Sequence, residues 1–451
     1  MDRDGFSRPA SLDSAELHEM RQLARGAFLH ALERSTIESA FDHHLHYERG
    51  ILQVGEDLYD LPAFSRIFVV SIGKAANTAV DSLMKRLGGG LGVTGIVCGP
   101  TDPGTQVAGF RYYTGGHPVP NSESVKAAEA ILRSLDALPD AALAIFLISG
   151  GGSSLVEKPI DDAISFEDLL QTYRALVHSG APIAEINAVR KHLSAAKGGR
   201  MALAAAPAHQ LSVLISDVPD NTPDSLASGP TMPDHSTIEQ CYEVVSKYKL
   251  MTALPQSVRE LFEHHAIPET PKEGDPAFAR SRWWTVLSNS SARKSAEEWA
   301  AAAGFHVVID NRCDDWDYRD AADYLLGRVR DLRQSDGRVC LISGGEVTVT
   351  VDGQAGIGGR NQQFALYCAT KISGENITVL SAGTDGIDGN SPAAGAVVDG
   401  TTMERAAGKL LDVSAALSGF NAFPLFQSLD EAIVTGPTGN NVRDLRVLLA
   451  Y

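Results

Sequence analysis

Residues Ala141–Ile148 read AALAIFLI, apolar without a break, and stop at Ser149-Gly150-Gly151-Gly152-Ser153-Ser154. A short unbroken run closed by a glycine turn is the pattern of a strand buried on both faces, as in a parallel sheet covered by helices. The pattern recurs. Arg66–Ser71 (RIFVVS) leads into Ile72-Gly73-Lys74-Ala75-Ala76, and Leu211–Ser216 (LSVLIS) into Asp217-Val218-Pro219. Val339–Ile342 leads into Ser343-Gly344-Gly345, and Ile377–Leu380 into Ser381-Ala382-Gly383-Thr384-Asp385-Gly386. Helix-like stretches separate these runs, which confines the chain to α/β folds, where ligands bind at the carboxyl ends of strands. FLISGGGSS and CLISGGEVT share LISGG, and VLISDVPDN and VLSAGTDG each place an aspartate after an apolar run. This echo suggests two α/β domains presenting glycine-rich strand ends toward a common cleft.

A chain of 451 residues exceeds one ordinary core, so two domains are expected. The Pro/Gly-rich stretch 267–281 (IPETPKEGDPAFARS) marks a boundary, giving domains 1–275 and 276–451. A second αβ series then opens with a strand at Trp284–Leu287. Residues 1–14 read as a loose tail, and Ser14–His43 as helical with Ser14 as N-cap. His43, His44 and His46 match no metal spacing and read as a surface cluster. A formal charge of −17 argues against a sequence-independent nucleic-acid binder, which needs a basic face. No apolar run is long enough to span a membrane, and MDRDGFSRPASLDSAE lacks an apolar signal core. The five cysteines are scattered without CxxC spacing, and Cys340 and Cys368 read as buried thiols, so a cytoplasmic location is expected.

The chemistry-bearing stretches point to anions. Gly73-Lys74 follows a strand and precedes a small-residue helix, like half a P-loop. The full GxxxxGK[ST] fails, because its first glycine falls on Phe68 and Ala75 follows the lysine. Lys74 is still placed to neutralise phosphate. The turn Ser149–Ser154 reads as a backbone nest, since nothing structural requires three consecutive glycines. Glu185–Arg200 reads as one helix ending at Gly198-Gly199, with Asn187, Arg190 and Lys191 on one basic face. His117 reads as a loop-ordering residue, and Asn121 or Ser122 as the cap of ESVKAAEAILRSL. In Leu341–Gln363, LISGGEVTVTVDGQAGIGGRNQQ, the alternating EVTVTV turns at Asp352-Gly353. Gly356-Ile357-Gly358-Gly359-Arg360-Asn361 then opens a helix whose first amides favour an anion and whose arginine offers a guanidinium fork. Asp217 past its strand, and Asp385 and Asp388 in a glycine-rich loop, are candidate Mg²⁺ carboxylates, although Asp-Gly is also a common turn dipeptide.

There is no GxSxG elbow, no zinc spacing and no GxGxxG after a strand, so acyl transfer and nicotinamide chemistry fit less well than phosphoryl transfer. That reaction needs cations and amides on the transferring group plus Mg²⁺ held by carboxylates. A nicotinamide-dependent reductase and a binding-only sensor of phosphorylated metabolites are the rival classes. No general base is identifiable from the sequence.

SIGKAA, GGHPVPNSESVKAAEAIL, ISGGGSS, EINAVRKHLSAAKGGR, LISDVPDNTPDSLASGPT, GIGGRNQQ, SAGTDGIDGN, AGAVVDGTT and TGPTGNNVRDL, in this order over nearly the whole chain, resemble the glycerate 2-kinase family, whose C-terminal part is the MOFRL domain. The resemblance implies a Rossmann-like N-terminal domain, a second α/β domain with a mixed sheet, and an active site in the interdomain cleft. It implies ATP- and Mg²⁺-dependent phosphorylation of D-glycerate at the 2-hydroxyl. The oligomeric state, monomer or homodimer, stays open, and charge and hydropathy lead us to expect no nucleic-acid or membrane partner. Hydroxypyruvate reductase, a label given to related proteins, is the alternative, as is a kinase of another small hydroxy acid. Lys74 and Arg360 match the family's essential basic residues. The expected roles are catalysis by Lys74 and Arg360. Substrate or phosphate binding falls to Ser149, Gly150, Gly151, Gly152, Ser153, Ser154, Asn187, Lys191, Gly358, Gly359 and Asn361, and metal binding to Asp217, Asp385 and Asp388. The chain departs from the family pattern at Asn121, Gln363 and Pro392, where an acidic residue is usual.

Overall fold

The computed structural model describes residues 14–351 and 353–451. The expected tail and the Asp352 turn residue fall outside them, as does the side chain of Ser14 with its capping role. The chain forms two compact units. Residues 37–288 make one, and residues 289–451 with the N-terminal helix Ser14–Arg34 make the other.

The unit 37–288 opens with helix Ile37–His44 and an antiparallel sheet of β1 (Leu45–Glu48), β2 (Ile51–Val54) and β3 (Asp57–Asp60). Six further strands follow: β4 (Arg66–Ile72), β5 (Val93–Gly99), β6 (Phe110–Thr114), β7 (Ala142–Ser149), β8 (His209–Ile215) and β9 (Ser281–Leu287). They pair in parallel in the order β6-β5-β4-β7-β8-β9. Counted within the sheet this is 3-2-1-4-5-6, the Rossmann order, as the family resemblance implied. Every residue of β7 is buried, which is why its sequence carries no alternation. One face packs Phe68, Val70, Phe146 and Ile148 against Ile131 and Leu135 of helix Ser122–Asp136. Asn121 caps that helix, its side chain accepting the Ser124 amide at 2.9 Å.

The other unit carries β10 (His306–Ile309), β11 (Val339–Gly344), β12 (Ile377–Gly383), β13 (Gly395–Asp399), β14 (Ala432–Ile433) and β15 (Asp444–Ala450). Their order is β10-β11-β15-β12-β13-β14. Only β10 and β11 are parallel, so the sheet is mixed. Leu325 and Val329 of helix Tyr318–Asp336 and Phe364 and Cys368 of helix Arg360–Lys371 fill its core.

The structure departs from the sequence reading at several places. The division falls after Ser288 rather than near 275, because β9 is the sixth strand of the parallel sheet, hydrogen-bonded to β8, and not the start of a second series. Helix Ser14–Arg34 belongs with the C-terminal residues. Gly26 lets it approach so closely that a Cβ there would lie 2.6 Å from the Trp299 ring, and Arg21 is ion-paired with Asp399. The helix expected at 185–200 spans Ile183–His192, and a second one, Arg200–Ala205, starts after Gly198 and Gly199, both with positive φ. The alternating residues after Gly345 join no sheet and make one bridge, Asp317 with Thr348. All five cysteines are buried thiols. No helix among the described residues is long and apolar enough to cross a membrane.

Candidate functional site

Two groups of residues gather the chemistry, one in each unit. The first stands where the parallel sheet reverses its strand order, between β4 and β7, the position at which open α/β sheets bind ligands. The turns after the two strands are stitched together. The Lys74 amide donates to the Gly150 carbonyl at 2.8 Å and the Ala75 amide to Ser149 Oγ at 3.0 Å. Gly73 has a φ of +118°, and a Cβ there would collide with the Ser149 hydroxyl and carbonyl. The Lys74 side chain, at the start of helix Ala76–Leu87, is exposed.

Each glycine of the triplet has a packing reason, contrary to expectation. A Cβ on Gly150 would collide with the Asp217 carboxylate. Gly151 has a φ of +80° and would place one 2.9 Å from His117 Cδ2 and 3.2 Å from Lys74 Cγ. On Gly152 it would lie 2.8 Å from the Ala227 methyl. The glycines therefore let Lys74, His117 and Asp217 converge on one turn. Burial, and then the Lys74 charge, hold the His117 imidazole below its ordinary pKa, so it is a neutral neighbour of that lysine. The serine hydroxyls already have protein partners. Ser149 Oγ accepts from Ala75, Ser154 Oγ donates to the Gly151 carbonyl at 3.2 Å, and Ser153 Oγ meets Ser228 Oγ at 2.9 Å. On helix Ile183–His192, Asn187 is half-buried. Lys191 is buried and ion-paired with Asp234 at 3.0 Å and Asp224 at 3.7 Å, so the basic face expected there is largely neutralised.

The second group lines a cavity of about 720 Å³ in the other unit, walled by Asp315, Glu346, Val349, Gly358, Gly359, Arg360, Asp385, Asp388 and Phe420, among others. Arg360 opens helix Arg360–Lys371. Its Nε and Nη2 bind Asp444 at 2.6 and 3.0 Å, a bidentate pair on a carboxylate that is 1% exposed. Nη2 also meets Glu346 Oε1 at 2.8 Å, while Nη1 has no partner among the described residues. Burial lowers the Arg360 pKa, but Asp444 and then Glu346 hold it above the ordinary value, so the cation is permanent. Arg446, fully buried on β15, donates to the Gly344 and Gly345 carbonyls and so fixes the turn that delivers Glu346.

The anion at this helix N-terminus is the protein's own. Asp388 Oδ1 accepts from the Asn361 amide at 3.0 Å and side chain at 3.3 Å. Its Oδ2 accepts from the Gln362 amide at 2.9 Å and side chain at 3.0 Å. A carboxylate has about four acceptor positions, so Asp388 is saturated as a cap and is a poor candidate for the metal role expected of it. Burial and the nearby Asp444 raise its pKa to about 6 against those hydrogen bonds. Asn361 is buried between Asp388 and the Ser381 hydroxyl, which donates to its Oδ1 at 2.6 Å, so it too is structural rather than ligand-facing. Gly359 and Gly389 are glycines because Asp388 and the Gly358 carbonyl crowd them. Asp385 is half-exposed on the cavity, its Oδ1 accepting the Ile387 amide at 3.1 Å. Gln363 binds the Leu417 carbonyl at 2.8 Å and the Tyr318 hydroxyl at 3.2 Å.

Sequence reasoning missed Glu346, Asp444 and Arg446. Glu346 was legible only as the first residue of an alternating stretch, and the two others lie in a terminal segment read as no element. Among the described residues no group of three or more His, Cys, Asp or Glu side chains forms a ready metal cage, which includes the His43–His46 cluster.

Comparison with known proteins agrees with this architecture. Residues 23–263 match a family described as a domain of unknown function (DUF4147), and residues 339–444 match the MOFRL family. A D-glycerate 2-kinase from Thermotoga maritima is 36% identical over 391 residues, 84% of this chain and 89% of the relative. A glycerate 2-kinase from Pyrococcus horikoshii is 33% identical over 391 residues, 85% and 87% of the two chains. The crystal structure of a Thermotoga maritima glycerate kinase superposes with a TM-score of 0.83 at 32% identity, covering 96% of this chain and all of that one. With both domain models matched in order, and relatives this similar over most of their length, the chain belongs to the glycerate 2-kinase family of phosphotransferases.

Proposed function

We propose that the protein transfers the γ-phosphoryl group of ATP to the 2-hydroxyl of D-glycerate, with Mg²⁺, giving 2-phosphoglycerate. The observation that carries the reading is Arg360. It is a permanent cation held rigidly by a buried aspartate on the wall of a cavity, with one amino group left for a ligand. Phosphoryl transfer is catalysed mainly by such preorganised charge. Lys74, exposed on the turn at the strand-order reversal, supplies a second cation, and the Gly150–Ser153 turn supplies close backbone approach. ATP and D-glycerate are both anions, which cationic groups suit.

Mg²⁺ binds proteins through one or two carboxylates and takes its other ligands from phosphates and water, so a ready cage of three is not required. Taken singly, Asp385 on the cavity of one unit and Asp217 beside Gly150 in the other are each candidates for such a carboxylate, and Asp388 is not. Bound Mg²⁺ would supply neutralisation of the polyphosphate charge.

The test is a coupled assay of ADP release from ATP, Mg²⁺ and D-glycerate, with the product's phosphorylated position read by phosphorus NMR. A 2-phosphoglycerate signal is expected. ATP turnover only with another hydroxy acid would keep the kinase and change its acceptor, with Gln363 and Pro392 the first positions to revisit. NADH-dependent reduction of hydroxypyruvate in place of ADP release would overturn the reading.

A further inference from the structure

Phosphoryl transfer to an alcohol leaves one proton to be disposed of, and four carboxylates border the Arg360 cavity. Asp388 is saturated by four donors. Asp385 holds the Ile387 amide and is the Mg²⁺ candidate. Asp315 is exposed, with only its main chain anchored, its amide donating to the Glu346 carbonyl at 2.8 Å. Glu346 is different. Its Oε1 is tied to Arg360 Nη2 at 2.8 Å, its amide donates to Asp314 Oδ1 at 3.0 Å, and its Oε2 has no partner among the described residues. Asp314 is itself gripped by Arg443 through two bonds of 2.6 and 2.7 Å, so the backbone beneath Glu346 is anchored.

Resting on the kinase reading, we propose that Glu346 is the catalytic base, its Oε2 accepting the proton of the acceptor hydroxyl. The hydroxyl O–H bond breaks and its proton passes to Oε2. The oxygen forms the new O–P bond, and the P–O bond to the departing nucleoside diphosphate breaks, its electron pair leaving with that oxygen. The proton on Glu346 then returns to water. Arg360 thus has two tasks, with Nη2 orienting the base and Nη1 open to the anion.

The charges facing Glu346 come from three elements: Arg360 from its helix, Asp444 from β15, and Arg443 from the turn before β15, 4.0 Å away. Burial, and then Asp444, raise the Glu346 pKa against the two arginines, so its deprotonation falls closer to neutrality than that of an ordinary glutamate. A base of this kind is active above its pKa, so kcat should fall as pH drops through it.

The experiment compares wild type, Glu346→Gln and Glu346→Asp in ADP release from ATP, Mg²⁺ and D-glycerate across pH, with circular dichroism checking the fold. Glutamine keeps a hydrogen bond to Arg360 but cannot take the proton. We expect kcat lower by about 10²-fold, the KM values little changed, and the acid limb of kcat gone. Aspartate should keep the acid limb at a reduced kcat, because its carboxylate is withdrawn by one methylene. A folded Glu346→Gln protein with wild-type kcat and an intact acid limb overturns the assignment. So does Glu346→Asp with unchanged kcat, which decides the matter should the glutamine variant not fold. A wild-type protein that releases no ADP would instead sink the kinase reading, and this role with it.

Discussion

At the scale of the residue, the same side-chain type carries opposite duties according to its partners. Asp388 faces the cavity yet is exhausted as a helix cap, whereas Glu346 on the same cavity keeps an oxygen open. Arg360 is the residue whose loss should be felt most in rate. Arg360→Ala should lower kcat/KM by about 10²–10³-fold, the range for removing one preorganised charge donor. Arg360→Lys should recover little, since an ammonium cannot bind Asp444 bidentately and reach Glu346 together. Steady-state ADP release, with far-UV circular dichroism as control, checks both. Glu431 makes a stability prediction. Burial raises its pKa to about 7 against the opposing charge of Arg405, and its Oε2 is buried without a hydrogen-bond partner among the described residues. The unfolded value is about 4.3, so stability from the protonated group is fully present below that pH and is lost as pH rises through about 7. Tm should therefore fall between pH 5 and 8 in wild type, and Glu431→Gln should flatten that dependence. The placement of Lys74 and Arg360 at glycine turns before helices was legible, because such turns are set by residues a few positions apart. The role of Asp388 was not, because an Asp-Gly turn does not disclose which distant amides its carboxylate will meet.

At the scale of the element, glycines did more packing work than their motifs suggested. Gly73 sits at a φ that L-residues avoid and against both the Ser149 hydroxyl and the Ser149 backbone carbonyl, the latter unable to yield. Gly73→Ala should cost about 2–4 kcal/mol, combining left-handed strain with overpacking, and should displace the Lys74 turn. Chemical denaturation measures the first effect and the KM for ATP the second. A variant as stable as wild type would mean that the two turns separate easily. The element most thoroughly missed was β15, which lies in the middle of the mixed sheet between β11 and β12. Its sequence, DLRVLLA, carries two charges, and a buried central strand is expected to be apolar. Both charges are satisfied by groups far away in the chain, Asp444 by Arg360 and Arg446 by the Gly344 and Gly345 carbonyls. A window of neighbours holds no trace of that.

At the scale of the whole molecule, alternation of apolar runs, glycine turns and helices announced an α/β protein, and its Rossmann and mixed sheets were anticipated through family resemblance. The division of the chain was not. A fragment of residues 37–288 contains all six strands of the parallel sheet and two of the buried cores. It should unfold in one cooperative transition by circular dichroism and calorimetry, whereas residues 37–275 should not, because β8 would lose its neighbour β9. Equal cooperativity in the two fragments would contradict the placement of the division. Local periodicity and turn chemistry determined the apolar strands, most of the helices and the two cationic turns, since these depend on residues a few positions apart. Tertiary structure alone decided that the first helix belongs with the last strands, that a charged terminal segment is a central strand, and that Asp388 answers the helix amides while Glu346 remains available. Those outcomes rest on pairings across tens to hundreds of residues, where burial and hydrogen bonding are settled by what the fold brings together.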